Sequence, residues 1–174
     1  YQVGLEGGRF VVVKFYRPGR WTDAAIAEEH AFTAELAAAE LPVVAPLSHA
    51  GETLLEHAGF RYAVFPRRGG RAPELDGAEA AAWMGRTLGR VHAVGARAPF
   101  VHRGGIDLES HVRVPMRQVL EGPLLPESCV ARYRAAIEAA LPPLAQAWSR
   151  AQPVDRLRLH GDCHPGNILW SDAG

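Results

Sequence analysis

The sequence has 174 residues, 48% of them apolar and 22% charged, enough for a packed core and too ordered in composition for a disordered tail. Its 19 basic side chains balance its 19 acidic ones, which argues against a nucleic-acid binder working by bulk electrostatics. No apolar run approaches the roughly 18 residues that cross a bilayer and no charged-then-apolar leader opens the chain, while two cysteines, Cys129 and Cys163, fit a reducing cytosol.

Tyr1 to Leu5 and Arg9 to Tyr16 read as strands joined by a hairpin at Glu6-Gly7-Gly8. Alternation puts Phe10, Val12, Lys14 and Tyr16 on one face of the second strand and Val11, Val13 and Phe15 on the other. Thr22-Asp23 opens an Ala/Glu-rich helix to about Glu40, stopped by Leu41-Pro42. Val43 to Leu47, Thr53 to His57 and Gly59 to Pro66 read as strands, followed by a loop at Arg67-Arg68-Gly69-Gly70.

Past residue 75 the character turns helical. Met84, Leu88 and Val91 recur at helical spacing within Glu79 to Val94, where Gly85 and Gly89 would permit close helix packing. Residues 97–127 show no sustained period. A helix is expected from Ser128 to Leu141, broken at Pro142-Pro143 and resumed towards Arg150. Arg156 to Leu159 and Asn167 to Trp170 read as short strands flanking a polar loop, His160 to Gly166. A strand-rich half before a helix-rich half points to an α+β protein with an N-lobe over 1–68, a hinge near 65–68 and a partial C-lobe over 69–174.

The chemistry concentrates in His160-Gly161-Asp162-Cys163-His164-Pro165-Gly166-Asn167. Asp162 and Asn167 lie five apart with Pro-Gly between them, so the turn can make their side chains converge. A carboxylate that accepts a hydroxyl proton beside an amide oxygen that ligates Mg2+ suits phosphoryl transfer. His160, Asp162 and His164 alternate, and a metal-hydrolase cluster is the competing interpretation.

The basic residues are 18 Arg and a single Lys, Lys14, which follows Val11-Val12-Val13 on a strand. A lysine on a strand can be fixed by a helix glutamate packed beside it. At 100° per residue, Glu29 falls within about 60° of Ile26, Phe32 and Leu36, whereas Glu28 is turned to the flank. A carboxylate on a buried face needs a partner, which makes Glu29 the first choice and Glu28 the reserve.

The pattern His160-Gly-Asp162…Asn167 resembles the catalytic loop of the choline and aminoglycoside kinase-like enzymes, relatives of the protein kinases. Val12 to Pro18 with Arg20-Trp21-Thr22, Glu28-Glu29-His30, Ala63 to Pro66 with Gly69-Gly70-Arg71, and Leu157 to His164 are similar to the bacterial stress response kinase A family. The resemblance implies a bilobal, kinase-like α+β fold, ATP and Mg2+ as cofactors, and a cytoplasmic monomer that phosphorylates protein serine or threonine. Asp162 would then be the proton acceptor, Asn167 a magnesium ligand, Lys14 with Glu29 the phosphate grip, and backbone groups near Phe65 and Arg67, around a Pro66 with no N–H, the contact to the adenine edge. A small-molecule alcohol as acceptor and a non-catalytic nucleotide-binding module are the alternatives. Both ends read as unfinished: the family's phosphate-covering segment would precede Tyr1 and its second magnesium-binding Asp would follow Gly174, so the chain alone is expected to be inactive, with Asp172 no substitute.

Overall fold

The computed structural model describes residues 1–74 and 76–171; Asp172 and the expected terminal turn lie outside the described residues. Two compact units are present: residues 1–103 together with the segment from Arg156 onward, and Gly104–Asp155.

The first unit is built on a four-stranded antiparallel sheet ordered β1-β2-β4-β3, with β1 at Gln2–Gly4, β2 at Phe10–Phe15, β3 at Leu55–His57 and β4 at Phe60–Pro66. Gly7 and Gly8 sit at φ of 78° and 73°, which turns the chain between β1 and β2 without steric penalty. Register pairs Val12 with Phe65 and Lys14 with Ala63, so these side chains share one face as the alternation predicts. That face receives helix α1, Asp23–Ala38, capped by Thr22, whose side chain accepts the Ala25 N–H.

α1 is apolar on two sides. Ile26, fully buried, packs with Tyr16 and Ala63 under the sheet, while Phe32 and Leu36 join Leu41, Val91 and Val94 against helix α2, Ala78–Gly95. Fixing one helix against both layers sets the position of every carboxylate it carries. Inside the sheet-side cluster the buried His30 places Nε2 2.7 Å from the Tyr16 hydroxyl and Nδ1 2.8 Å from Thr53 Oγ1. Burial pushes the His30 imidazole down from its usual 6.5 and the Tyr16 phenol above its ordinary range.

A lowered folded value means that the unfolded chain binds more protons, so stability rises with pH across the window just below 6.5 and is lost as pH falls through it. Thermal melts are therefore expected to drop as pH is lowered below about 6.5, and His30→Gln should flatten that slope. An unchanged slope in the variant would refute a buried neutral imidazole at this position.

Several local expectations are corrected. Val43 to Leu47 is not a strand: Pro46 has no N–H to give a ladder, and Leu47 N–H alone reaches Val64 O, at 2.7 Å. Gly85 and Gly89 face open space; the close backbone approach is at Gly95 instead. Arg156 to Leu159 and Asn167 to Trp170 form no strands. The former docks on α2 through Arg158 N–H to Gly95 O (3.3 Å), and the latter makes a single bridge from Trp170 to Arg71.

In the second unit, the stretch taken as irregular contains a wide helical turn, Glu109–Arg113, running into α3, Val114–Glu121. Asp107 caps this run by accepting from Ser110 N–H at 2.7 Å, and Pro115 lies where the wide turn passes into α3. α4, Glu127–Ala151, continues through Pro142 and Pro143 rather than breaking. The Ala- and Arg-rich turns on both sides are good helix formers and carry it past the two forfeited hydrogen bonds. No helix among the described residues is long and apolar enough to cross a membrane.

Candidate active site

The sequence-derived site residues all lie in the first unit, in three groups. On the sheet face towards α1, Lys14 Nζ is 3.3 Å from Glu29 Oε1, an ion pair whose side chains are 49% and 34% exposed. Glu28, one residue earlier, is turned away. Its carboxylate accepts the N–H groups of Val101, His102 and Arg103 at 2.5, 2.9 and 2.8 Å. Against the desolvation that pushes it up, these three donors hold the Glu28 carboxyl below the usual range. The reserve partner for Lys14 is thus committed elsewhere.

Sequence reasoning missed Arg103, whose Nη1 is 2.5 Å from the other oxygen of Glu29. The guanidinium also lies over the Trp21 ring, 4.4 Å from its centroid. Arg103 falls in a stretch without periodicity, and only the proximity of Glu28 and Glu29 in space reveals it.

The second group is the loop. Asn167 Nδ2 donates to Asp162 Oδ2 at 3.0 Å and to Asp162 O at 2.9 Å, so the Pro-Gly turn does bring acid and amide together. Asp162 is exposed, its side chain 76% accessible. His160 Nδ1 accepts Asp162 N–H at 3.3 Å and His164 Nδ1 accepts Gly166 N–H at 3.1 Å; both histidines brace the turn. No group of three His, Cys, Asp or Glu that could hold a metal occurs among the described residues, so His160, Asp162 and His164 do not form one. The amide oxygen of Asn167 is a hard donor of the kind that holds a magnesium ion supplied with a phosphate-bearing substrate.

Both stems of the loop are fixed. Two residues before His160, the buried Arg158 makes a bidentate pair with Glu35 of α1 at 2.9 and 2.7 Å, bonds Val94 O at 3.2 Å and stacks on Phe32 at 4.4 Å. The Arg158 hydrogen bonds hold the Glu35 carboxyl below its usual range. Beyond Asn167, Trp170 N–H and O pair with Arg71 at 2.8 and 3.0 Å, and its ring packs on Trp83. The sequence signal for Arg158 was available: a charge flanked by Leu157 and Leu159 needs a partner once buried.

The third group is the end of β4. Phe65 turns its ring edge-on to His30 and packs against the sheet-side cluster, whereas Arg67 Nε donates to Gln2 Oε1 at 2.9 Å. β3 stops where Leu55 pairs with Tyr62, leaving Phe65 and the residues after it beyond that strand's cover. A cavity of about 440 Å³ is lined by Lys14, Phe15, Tyr16, Arg17, Arg20 and Trp21, and one of about 220 Å³ by Arg71, Pro73, Glu74, Ala80 and Trp170. Asp162 and Asn167 line neither.

The Lys14–Glu29 pair on the sheet and the Asp162–Asn167 turn stand in a chain whose sequence matches the profile of the phosphotransferase enzyme family (APH) over residues 1–174. The chain belongs to that family. This phosphotransferase-family chain is 43% identical over 173 residues to stress response kinase A of Salmonella choleraesuis (strain SC-B67) and of Escherichia coli (strain K12), matches that cover 99% of the chain and 52% of each relative. Serine/threonine protein kinase RdoA of Salmonella typhimurium (strain LT2) matches at the same 43% identity. The chain spans about half the length of the curated relatives it matches. Among solved structures, amicoumacin kinase hAmiN in complex with AMP-PNP, Ca2+ and Ami superposes with a TM-score of 0.70 at 16% identity, over 99% of this chain and 52% of that one. The α+β, aminoglycoside kinase-like fold expected from the loop is the fold observed, and the resemblance to stress response kinase A extends along the chain.

Proposed function

We propose that the protein carrying this chain is an ATP-dependent phosphotransferase whose acceptor is a serine or threonine hydroxyl of a protein. The observation that carries the proposal is the convergence of Asp162 and Asn167, 3.0 Å apart, in an exposed turn held at both stems. Asp162, open to solvent, takes the proton of the incoming hydroxyl. Asn167, oriented by its bonds to Asp162, presents an oxygen for Mg2+, which when bound neutralises phosphate charge. Lys14, held by Glu29, grips the α- and β-phosphates, and backbone groups of Phe65 and Arg67 meet the adenine edge. In this scheme residues 1–68 form the N-lobe and 69–174 part of the C-lobe. Rate enhancement comes from positioning and charge neutralisation.

The protein acceptor is favoured by the 43% identity to serine/threonine protein kinase RdoA. A small-molecule alcohol is the second reading, favoured by the fold shared with an amicoumacin kinase. Incubating the natural protein with labelled ATP against protein and small-alcohol panels separates them. Label is expected on serine or threonine of a protein; label on a small alcohol alone would remove the protein-kinase assignment, and no transfer to either would leave a nucleotide-binding module.

A further inference from the structure

We infer that Arg103 is a positioning residue for the phosphate grip: it orients Glu29 so that this carboxylate can hold Lys14. The inference rests on the proposed role of Lys14 and adds a residue to that machinery.

Glu29 uses its two oxygens separately, Oε1 for Lys14 at 3.3 Å and Oε2 for Arg103 at 2.5 Å, so the two cations do not compete for one atom. The Lys14–Glu29 pair is open to solvent on the lysine side, and such a pair does little to order two flexible side chains. Arg103 is better fixed. Its guanidinium stacks on Trp21 and reaches Ala25 O at 3.5 Å, and its own N–H is bound by Glu28 Oε2 at 2.8 Å. Neighbouring carboxylates of one helix thus hold the main chain and the side chain of the same arginine. A planar donor locked in this way removes the rotation that Glu29 would otherwise keep. Trp21 and Lys14 line the same cavity, so the arginine also packs against one of that cavity's walls.

Two other roles would give different results. If Arg103 competed with Lys14 for Glu29, its removal would free the carboxylate and strengthen the grip. If it only stapled the turn at 101–103, its effect would be independent of Lys14.

The test is calorimetric titration of the natural protein with ATP and Mg2+, comparing Arg103→Ala, Arg103→Lys, Lys14→Met and the Lys14→Met/Arg103→Ala double variant. Arg103→Ala is expected to weaken nucleotide binding about tenfold and to add nothing in the Lys14→Met background, the signature of residues acting as a unit. Arg103→Lys, which keeps the charge but loses the fork and the stack, should be intermediate, and it serves as the measurement if the alanine variant fails to fold. Glu28→Gln weakens the hold on the Arg103 main chain but leaves its guanidinium on Glu29 and Trp21; it should lower the melting temperature and cost distinctly less nucleotide affinity than Arg103→Ala. Unchanged or tighter binding in Arg103→Ala, additive losses in the double variant, or an equal loss in Glu28→Gln would each overturn the inference. Undiminished binding in Lys14→Met would instead overturn the role of Lys14 itself, and this inference with it.

Discussion

Asp162→Asn in the natural protein should reduce phosphoryl transfer by about 10²–10⁴-fold while ATP affinity stays near that of the wild type. The substitution removes the proton acceptor but little else. The side chain is largely exposed, so no buried partner is orphaned. The turn keeps its main-chain ties, His160 Nδ1 to Asp162 N–H and Asn167 Nδ2 to Asp162 O. Steady-state transfer measured beside calorimetric ATP binding and a thermal melt checks all three quantities together. Unchanged turnover would dismiss Asp162 as the base. A parallel fall in nucleotide affinity would show that the carboxylate holds the metal–nucleotide rather than the proton.

Gly95→Ala should be strongly destabilising, although it adds one methyl group at the end of a helix. A Cβ at this position would lie 2.1 Å from the carbonyl oxygen of Arg158, a backbone atom that cannot rotate aside. Either the end of α2 or the segment leading to the loop at His160–Asn167 must move. Overpacking of this kind costs about 1–3 kcal/mol and sometimes more. The displaced segment also carries Arg158, whose bonds to Glu35 and Val94 O depend on that approach. A fall of several degrees in the melting temperature is expected, with transfer activity lost more steeply than ATP binding. A melt that matches the wild type would show that the two backbones do not approach as closely as they do here. Gly85→Ala is the comparison: it faces open space, sits within the same helix, and should be neutral or slightly stabilising.

The parts of the site legible in the sequence were those governed by a fixed period. Alternation on β2 put Lys14 on the face that meets α1, and 100° steps along the helix separated Glu29 from Glu28. The Asp162–Asn167 approach followed from a five-residue spacing across Pro-Gly. What stayed hidden was set by long-range packing. Nothing near Arg103 in the chain announces Trp21 or Glu29, and nothing near Tyr16 announces Thr53 as the other partner of His30. The short segments beside the loop looked like strands because they are apolar and brief. Their hydrogen bonds go to a helix end and to a single bridging residue, a difference composition does not encode. One clue was available and unused: Glu109, Arg113 and Arg117 lie at four-residue intervals, and their ion pairs mark the helical stretch read as irregular.

Helix α1 grips Lys14 through Glu29 and Arg158 through Glu35, six positions further along and about 9 Å down the axis at 1.5 Å per residue. A helix is stiff over so short a span, which makes it a lever with two loads. Any swing that separates Glu29 from Lys14 also tugs on Glu35, and through Arg158 on the stem that carries His160 and Asp162. The ammonium grip and the acid–amide turn are therefore yoked mechanically, although more than a hundred residues of chain lie between them.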